Sequence, residues 1–356
     1  MSVSGPTATF GREPNSNYPR AIVISDNVLL ATYAWQDGAT AKIVTKMSFD
    51  LGASWTAPVG VLSGDARKTQ LRNPYLLRTS QGALLCAYLV RQVDGADDKP
   101  LHMDLQVSQS DDGARSWRRI GSITSIAPGH GVQGEWEPFL YESGGALQVY
   151  YSHELSPSDQ DIVLRESSDG GKTWGAPTTV AGAGSPDTRP GMPQVAAAAV
   201  SIGEGRERKL IMLHESNVGG EGFKVWARTS TDGGDTWADP HIVFNPVPQP
   251  GSRPVSRPQA GGPGVVALPP ASSAPGAPTR LVVSFMTNQD QPEQNYSDVA
   301  NVDMKVISSV DGGATWSPPV KALSSSGWGG LTAVEDGVLV LGATSKGTVV
   351  LQKVVY

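Results

Sequence analysis

The sequence predicts an all-β chain folded as one six-bladed propeller domain over residues 1–356. Three observations predict it. One turn motif recurs five times at blade-sized intervals, strand pairs lie between the copies, and the tail after the last copy carries strands without the motif.

The motif reads Ser-x-Asp-x-Gly-x-Ser/Thr-Trp. Its first copy is Ser48, Asp50, Gly52, Ser54 and Trp55, and its second is Ser110, Asp112, Ser116 and Trp117, with Ala114 where the others have Gly and Gly113 one place earlier. The remaining copies end on Trp174, Trp237 and Trp316, with aspartates at 169, 232 and 311. Successive aspartates are 62, 57, 63 and 79 residues apart, room for four short strands and their loops. An Asp can bond nearby backbone N–H groups, Gly accepts the positive φ of a tight turn, and Trp can pack beneath the blade. No second carboxylate recurs with these aspartates, so the motif is assigned to folding and not to metal binding.

Between the copies, residues 21–25 pair in pattern with 28–33, 75–78 with 83–89, and 139–142 with 146–152. After the fifth copy, residues 331–334, 338–344 and 348–354 read as strands. Residues 8–10 near the N-terminus would supply the fourth, closing the ring and removing exposed sheet edges. The Pro- and Gly-rich stretch 250–280 reads as an extended loop and strand inside the fifth blade.

Composition narrows the function. Apolar residues make up 39% of the chain and charged residues 17%, with 41 Gly and 27 Pro punctuating many short strands. A formal charge of −6 disfavours a nucleic-acid partner, which usually needs a basic face. No run of about 18 apolar residues occurs, so no membrane span is expected. The single cysteine, Cys86, lies in an apolar run and is expected to be a buried packing residue. The first residues lack the basic start and apolar core of a signal peptide. The chain is therefore expected either to be the mature form of a secreted protein or to be cytoplasmic. It is expected to be a monomer that needs no cofactor.

In a propeller the strands of each blade alternate in direction, from A at the axis outward to D. The repeated turns lie between C and D on one face. The opposite face is lined by the starts of the A strands and the ends of the B strands. The A-strand starts supply Tyr18-Pro19-Arg20, Arg72-Asn73-Pro74, Glu135-Trp136-Glu137-Pro138, Arg189 to Pro193, residues 253–257 and Trp328. The B-strand ends supply Trp35, Arg91, His153-Glu154, His214-Glu215 and Asn288-Gln289. Glu137, Glu154 and Glu215 are thus expected at one mouth with Arg20, Arg72 and Arg189. Two carboxylates at a pocket can divide acid/base and nucleophilic roles between them. Glu135 is expected to be a solvated neighbour, and His153 and His214 to pack or hydrogen-bond. His102, His130 and His241 share no spacing with Cys or carboxylates, so no zinc site is expected. Trp35, Trp136, Trp226 and Trp328 lie outside the repeated turns and suit either sugar platforms or the core.

The five turns resemble the Asp-box (BNR) repeat, whose superfamily implies a six-bladed propeller over the whole chain. Within it, sialidases clamp a substrate carboxylate with three arginines and use a last-blade tyrosine as nucleophile. Tyr18-Pro19-Arg20-Ala21 matches the first arginine loosely, and the last blade has no tyrosine except Tyr356. The stretches Trp136-Glu137-Pro138-Phe139, Arg189-Pro190-Gly191-Met192-Pro193 and Ile211 to Glu215 are similar instead to glycoside hydrolase family 93. A departure is the insertion at residues 203–209. That resemblance implies a retaining exo-1,5-α-L-arabinanase releasing a short arabino-oligosaccharide, with Glu137 and Glu215 as its catalytic pair. Substrate binding would fall to Arg20, Arg72, Glu154, Arg189, His214, Tyr296 and Trp328. The alternatives are a sialidase-type exo-glycosidase on an anionic sugar and a non-catalytic glycan-binding propeller.

Overall fold

The computed structural model describes residues 1–95, 99–129, 131–185, 188–202, 205–247, 257–270, 277–291 and 295–356, with the backbone alone for 199–202 and 205–208. Of the positions singled out above, His130, Gly203 and Arg253, with residues 250–256 and 271–276 of the Pro- and Gly-rich stretch, lie outside the described residues.

Six antiparallel sheets form the blades of a propeller, in chain order residues 17–65, 69–126, 134–181, 188–244, 260–323 and a sixth built from both chain ends. The sixth blade takes Leu331–Val334, Gly337–Thr344 and Val349–Val355 from the C-terminus, and Ser2–Gly11 pairs with Val349–Val355 as its outermost strand. That pairing closes the ring as expected. A further short strand, Ser326–Gly327, was not read from the sequence. It pairs with the same partner as Leu331–Val334, so the innermost strand of this blade is split in two around Trp328.

The core lies between the blades. Six clusters of buried side chains fill the six interfaces between neighbouring sheets, for example Ile211, Leu213 and Val225 of blade 4 against Leu281, Val283 and Phe285 of blade 5. Because each sheet is covered on both faces, a strand such as Val28–Gln36 buries six successive residues instead of alternating.

The five repeated turns all fall between the third and fourth strands, on the face away from the axial mouth. In the first, Asp50 accepts from the Ser54 backbone N–H at 2.8 Å and the Ser54 hydroxyl at 2.5 Å, while Ser48 Oγ accepts from the Gly52 N–H at 2.7 Å. Each turn needs two successive residues with positive φ. Ala114 supplies one of them at φ 67, strained for a residue with a Cβ. The tryptophans pack between their own blade and the preceding one. They reach back to the preceding one: Trp55 lies 5.0 Å from Phe10, Trp117 Nε1 donates to Thr45 Oγ1 at 3.1 Å, and Trp237 packs 5.9 Å from Tyr150.

Candidate active site

The mouth is shaped by one backbone device repeated around the ring. In blades 1 to 5 the innermost strand carries a bulge in which two residues oppose one on the second strand. The pairs are Tyr18-Pro19, Asn73-Pro74, Glu137-Pro138, Met192-Pro193 and Gly262-Pro263. The first residue of each pair is left-handed, with φ of 53, 52, 57, 51 and 57. Blade 6 reaches the same result by its interruption, with Trp328 at φ 52. A bulge turns a side chain out of the ladder, and proline tolerates the unpaired place because it has no N–H to orphan. The left-handed conformation costs a residue with a Cβ roughly 1–2 kcal/mol, and such strain clusters at functional sites. Four of these residues, Tyr18, Asn73, Glu137 and Trp328, line one cavity of about 500 Å³ at the mouth.

Glu137 thus owes its position to the blade 3 bulge. Its Oε2 accepts from Ser152 Oγ at 2.9 Å, and the Met192 N–H also bonds to its carboxylate. Burial raises its pKa, against the lowering effect of those two bonds and of Arg189 and Arg20.

Glu215 reaches the same place from the second strand of blade 4, opposite Gly191. Ser152 Oγ lies 3.4 Å, and Glu215 Oε1 3.7 Å, from where a Cβ at Gly191 would sit, so the hydroxyl that holds Glu137 also stands close to Glu215. Oε2 of Glu215 accepts from the Gly262 N–H at 2.8 Å. Burial first, and then the Glu137 charge, push Glu215 up to about 7. Both carboxylates keep some solvent exposure at the mouth, although protein has replaced most of their hydration. Two glycines make the room. A Cβ at Gly261 would collide with the Glu215 carboxylate and stand 2.6 Å from the Tyr296 hydroxyl. Tyr296, 8% exposed, stacks on Phe223 at 6.3 Å, and its hydroxyl has no hydrogen-bond partner among the described residues.

The other sequence candidates divide. Glu154 is bound on both oxygens, to Arg189 Nη1 at 2.8 Å and Trp136 Nε1 at 2.9 Å, and so fixes two mouth residues. Arg189 also donates to the carbonyls of Ser156 and Pro157. Arg20, 4% exposed, lies beneath the Tyr18 ring at 3.9 Å and donates to the carbonyls of Pro19 and Trp328. Arg72 is exposed at the cavity wall. Trp35, Trp136 and Trp328 line the cavity, whereas Trp226 lines a separate groove on the flank of blades 3 and 4.

His214 belongs to that groove too. Strand alternation turns it away from Glu215, its Nδ1 bonds the Glu215 carbonyl at 3.0 Å, and burial lowers its pKa to about 4, which removes it from the mouth as a neutral ring. Glu135 is not a solvated neighbour either. It is 3% exposed and bonded to His153 Nδ1 at 3.1 Å. Sequence reasoning placed Tyr18 at the mouth but did not single it out as a site residue. Its signal was the residue-Pro pair that recurs at the start of every innermost strand from blade 1 to blade 5.

No family model matches the chain. A local alignment is 27% identical over 141 residues to a sialidase of Bacteroides fragilis, covering 33% of this chain and 26% of that protein. Similarity in shape extends further. An alpha-L-arabinanase of Penicillium chrysogenum, solved with arabinobiose, superposes with a TM-score of 0.67 over 99% of both chains at 19% identity. The GH93 alpha-L-arabinofuranosidase of Fusarium graminearum with arabinobiose gives 0.63 over 98% of this chain and 97% of that one, at 20% identity. A Hadza microbial sialidase gives 0.64 at 16% identity, covering 96% of this chain and 65% of that one. The chain thus shares the six-bladed propeller fold of arabinanase and sialidase structures.

Proposed function

We propose that the protein is a retaining exo-acting glycoside hydrolase that removes a short arabino-oligosaccharide from the non-reducing end of α-1,5-linked arabinan. One observation carries the reading: two glutamates from adjacent blades meet at the axial mouth, where burial raises the proton affinity of both and the Glu137 charge raises that of Glu215 further. Glu215, pushed to about 7, holds a proton near neutrality and is the general acid. Glu137, bonded by Ser152 Oγ and the Met192 N–H, is the carboxylate that attacks.

In the first step a Glu137 oxygen forms a bond to the anomeric carbon while the glycosidic bond breaks, and the Glu215 proton passes to the leaving oxygen. In the second, the Glu215 carboxylate takes a proton from water, whose oxygen displaces Glu137 and restores both groups. The Gly262 N–H, bonded to Oε2 at 2.8 Å, orients the Glu215 carboxylate. The arabinobiose complexes of the two similar structures support the choice of sugar.

The arginines argue against an anionic sugar. A carboxylate clamp needs several guanidinium groups turned to the ligand, whereas Arg20 lies against Tyr18 and donates through Nη1 to two carbonyls, and Arg189 donates through Nη1 to Glu154 and two more, which leaves Arg72 exposed at the cavity wall. Debranched arabinan and a panel of nitrophenyl glycosides that includes a sialoside test the reading. Release of arabino-oligosaccharide with retained configuration by proton NMR is expected, and binding without product would leave a glycan-binding propeller. Glu215→Gln should lower kcat by about 10²–10⁴-fold, and Glu137→Gln should abolish the glycosyl-enzyme, with both variants folded. For the wild-type enzyme, kcat/KM should fall as pH rises past about 7, where Glu215 loses its proton.

A further inference from the structure

The groove on the flank of blades 3 and 4 takes no part in the chemistry at the mouth. It encloses about 350 Å³, between the Thr178–Ala181 strand of blade 3 with the turn after it and the face of blade 4 that looks toward blade 3. On that face Met212 pairs with Arg228 and His214 with Trp226, which makes His214, Trp226 and Arg228 neighbours. All three are incomplete. Arg228 is half-buried and makes no hydrogen bond or ion pair among the described residues, and its Nε is fully covered without a partner. His214 is 2% exposed and gives its Nδ1–H to the Glu215 carbonyl at 3.0 Å, so in the neutral ring Nε2 is a bare acceptor, and it has no partner either. The Trp226 Nε1–H is unpartnered as well. No described residue lining the groove carries a negative charge. An uncompensated guanidinium out of water costs stability, and nothing in the free fold offsets that cost.

We propose that this groove is a second binding site, separate from the mouth, for an acidic sugar: the Arg228 guanidinium takes the carboxylate of a uronate unit, Trp226 supplies an apolar platform, and His214 Nε2 accepts from a sugar hydroxyl. Each assignment follows from the chemistry of the group. A carboxylate is the acceptor that the planar fork of an arginine fits. A hydroxyl is required opposite Nε2, which has no proton to give. An indole at a groove wall suits a ligand with an apolar ring face, which a free amino-acid or peptide carboxylate does not bring. A phosphate, with a charge of about −1.5 to −2 near neutral pH, would meet a single cation here, which favours the singly charged carboxylate. The site is independent of the hydrolase reading. His214 and Glu215 point to opposite sides of one strand, and the groove shares no lining residue with the mouth cavity.

Isothermal titration calorimetry with trigalacturonate tests the site. The wild-type protein should bind it, and Arg228→Gln should weaken that binding about tenfold or more, the worth of a hydrogen bond to a charged group. Arg72→Gln, at the mouth, should leave it unchanged. Because Arg228 has no partner in the free fold, Arg228→Gln should melt no lower than the parent and should act on arabinan as the parent does. A second arm needs no variant. The methyl ester of the same trimer keeps the sugar rings and loses the charge, and it should bind about tenfold more weakly or not at all. Absence of binding by the wild type, equal binding of the ester, or equal binding of inorganic phosphate would overturn the proposal. Binding lost in Arg72→Gln and kept in Arg228→Gln would place the acid at the mouth and overturn it too. So would a lower melting temperature of Arg228→Gln with unchanged affinity, since the arginine would then serve the fold. Should Arg228→Gln not fold, the comparison of acid and ester decides. If the wild-type protein cleaves no glycoside, the proposed function fails while these titrations still decide the groove.

Discussion

At the scale of single residues, the site is built as much from missing side chains as from present ones. Gly191 and Gly261 flank Glu215, and the Gly262 N–H holds one of its oxygens. A methyl at position 261 would press on the carboxylate and on the Tyr296 hydroxyl together, with no positive φ at that position to confuse the result. Gly261→Ala is therefore expected to fold and to lose about 10²-fold in kcat, the usual consequence of displacing a reacting group by an ångström. Gly38→Ala, at a position with open space around it, serves as the control. Steady-state kinetics on the two variants checks this, and equal activity would show that Glu215 has room to spare. Glu137 illustrates the complementary principle: a conformation that is poor for a glutamate is kept because it points the carboxylate at the axis.

At the scale of the element, two devices alternate around the ring. On the mouth side, the left-handed bulge before proline aims one side chain per blade inward. On the far side, the Asp-centred turn ties the third strand to the fourth and sends its tryptophan to the preceding blade. The hydrogen bonds from the turn N–H and hydroxyl groups lower the carboxyl pKa of Asp50, Asp112 and Asp311 to about 2 from 3.8, and those of Asp169 and Asp232 further. A carboxyl that titrates lower when folded stabilises the fold in its ionised form. That stabilisation is complete above the unfolded value near 4 and is lost as pH falls through the folded values. Thermal melts from pH 6 to pH 2 should stay level at first and then drop steeply below about pH 4. A drop confined to higher pH would mean that other groups govern acid unfolding.

At the scale of the whole molecule, ring closure depends on Ser2–Gly11 completing the sixth blade. Phe10 is the anchor, 2% exposed, with Trp55 at 5.0 Å and Tyr33 at 5.8 Å, so it joins the first and last blades. Phe10→Ala should cost about 3–5 kcal/mol in denaturant unfolding, the range for a buried aromatic. A loss below about 1 kcal/mol would show that the ring holds without this contact.

The propeller was legible in the sequence because its signals are local and repeated. A turn that needs Asp and Trp at a set offset writes them five times, with glycine in its place in four of the copies, and apolar strands between the copies mark the blades. Glu137 and Glu215 were legible as mouth residues because strand direction alone decides which end of a strand faces the axis. Neither the turning of His214 to the flank nor the burial of Glu135 could be read this way, since each depends on which face of its strand is covered and by what. Tyr18 shows the same limit: Tyr18-Pro19 is ordinary as a dipeptide, and its meaning comes from sitting beside the corresponding residues of the next two blades. Sequence by itself determined the blade count, the turn chemistry and the pair of acids, because each rests on a short stretch of chain. Only the tertiary structure decided which polar groups share a cavity and which carboxylates are buried beside one another, because burial and charge proximity arise only once distant blades have been brought around one axis.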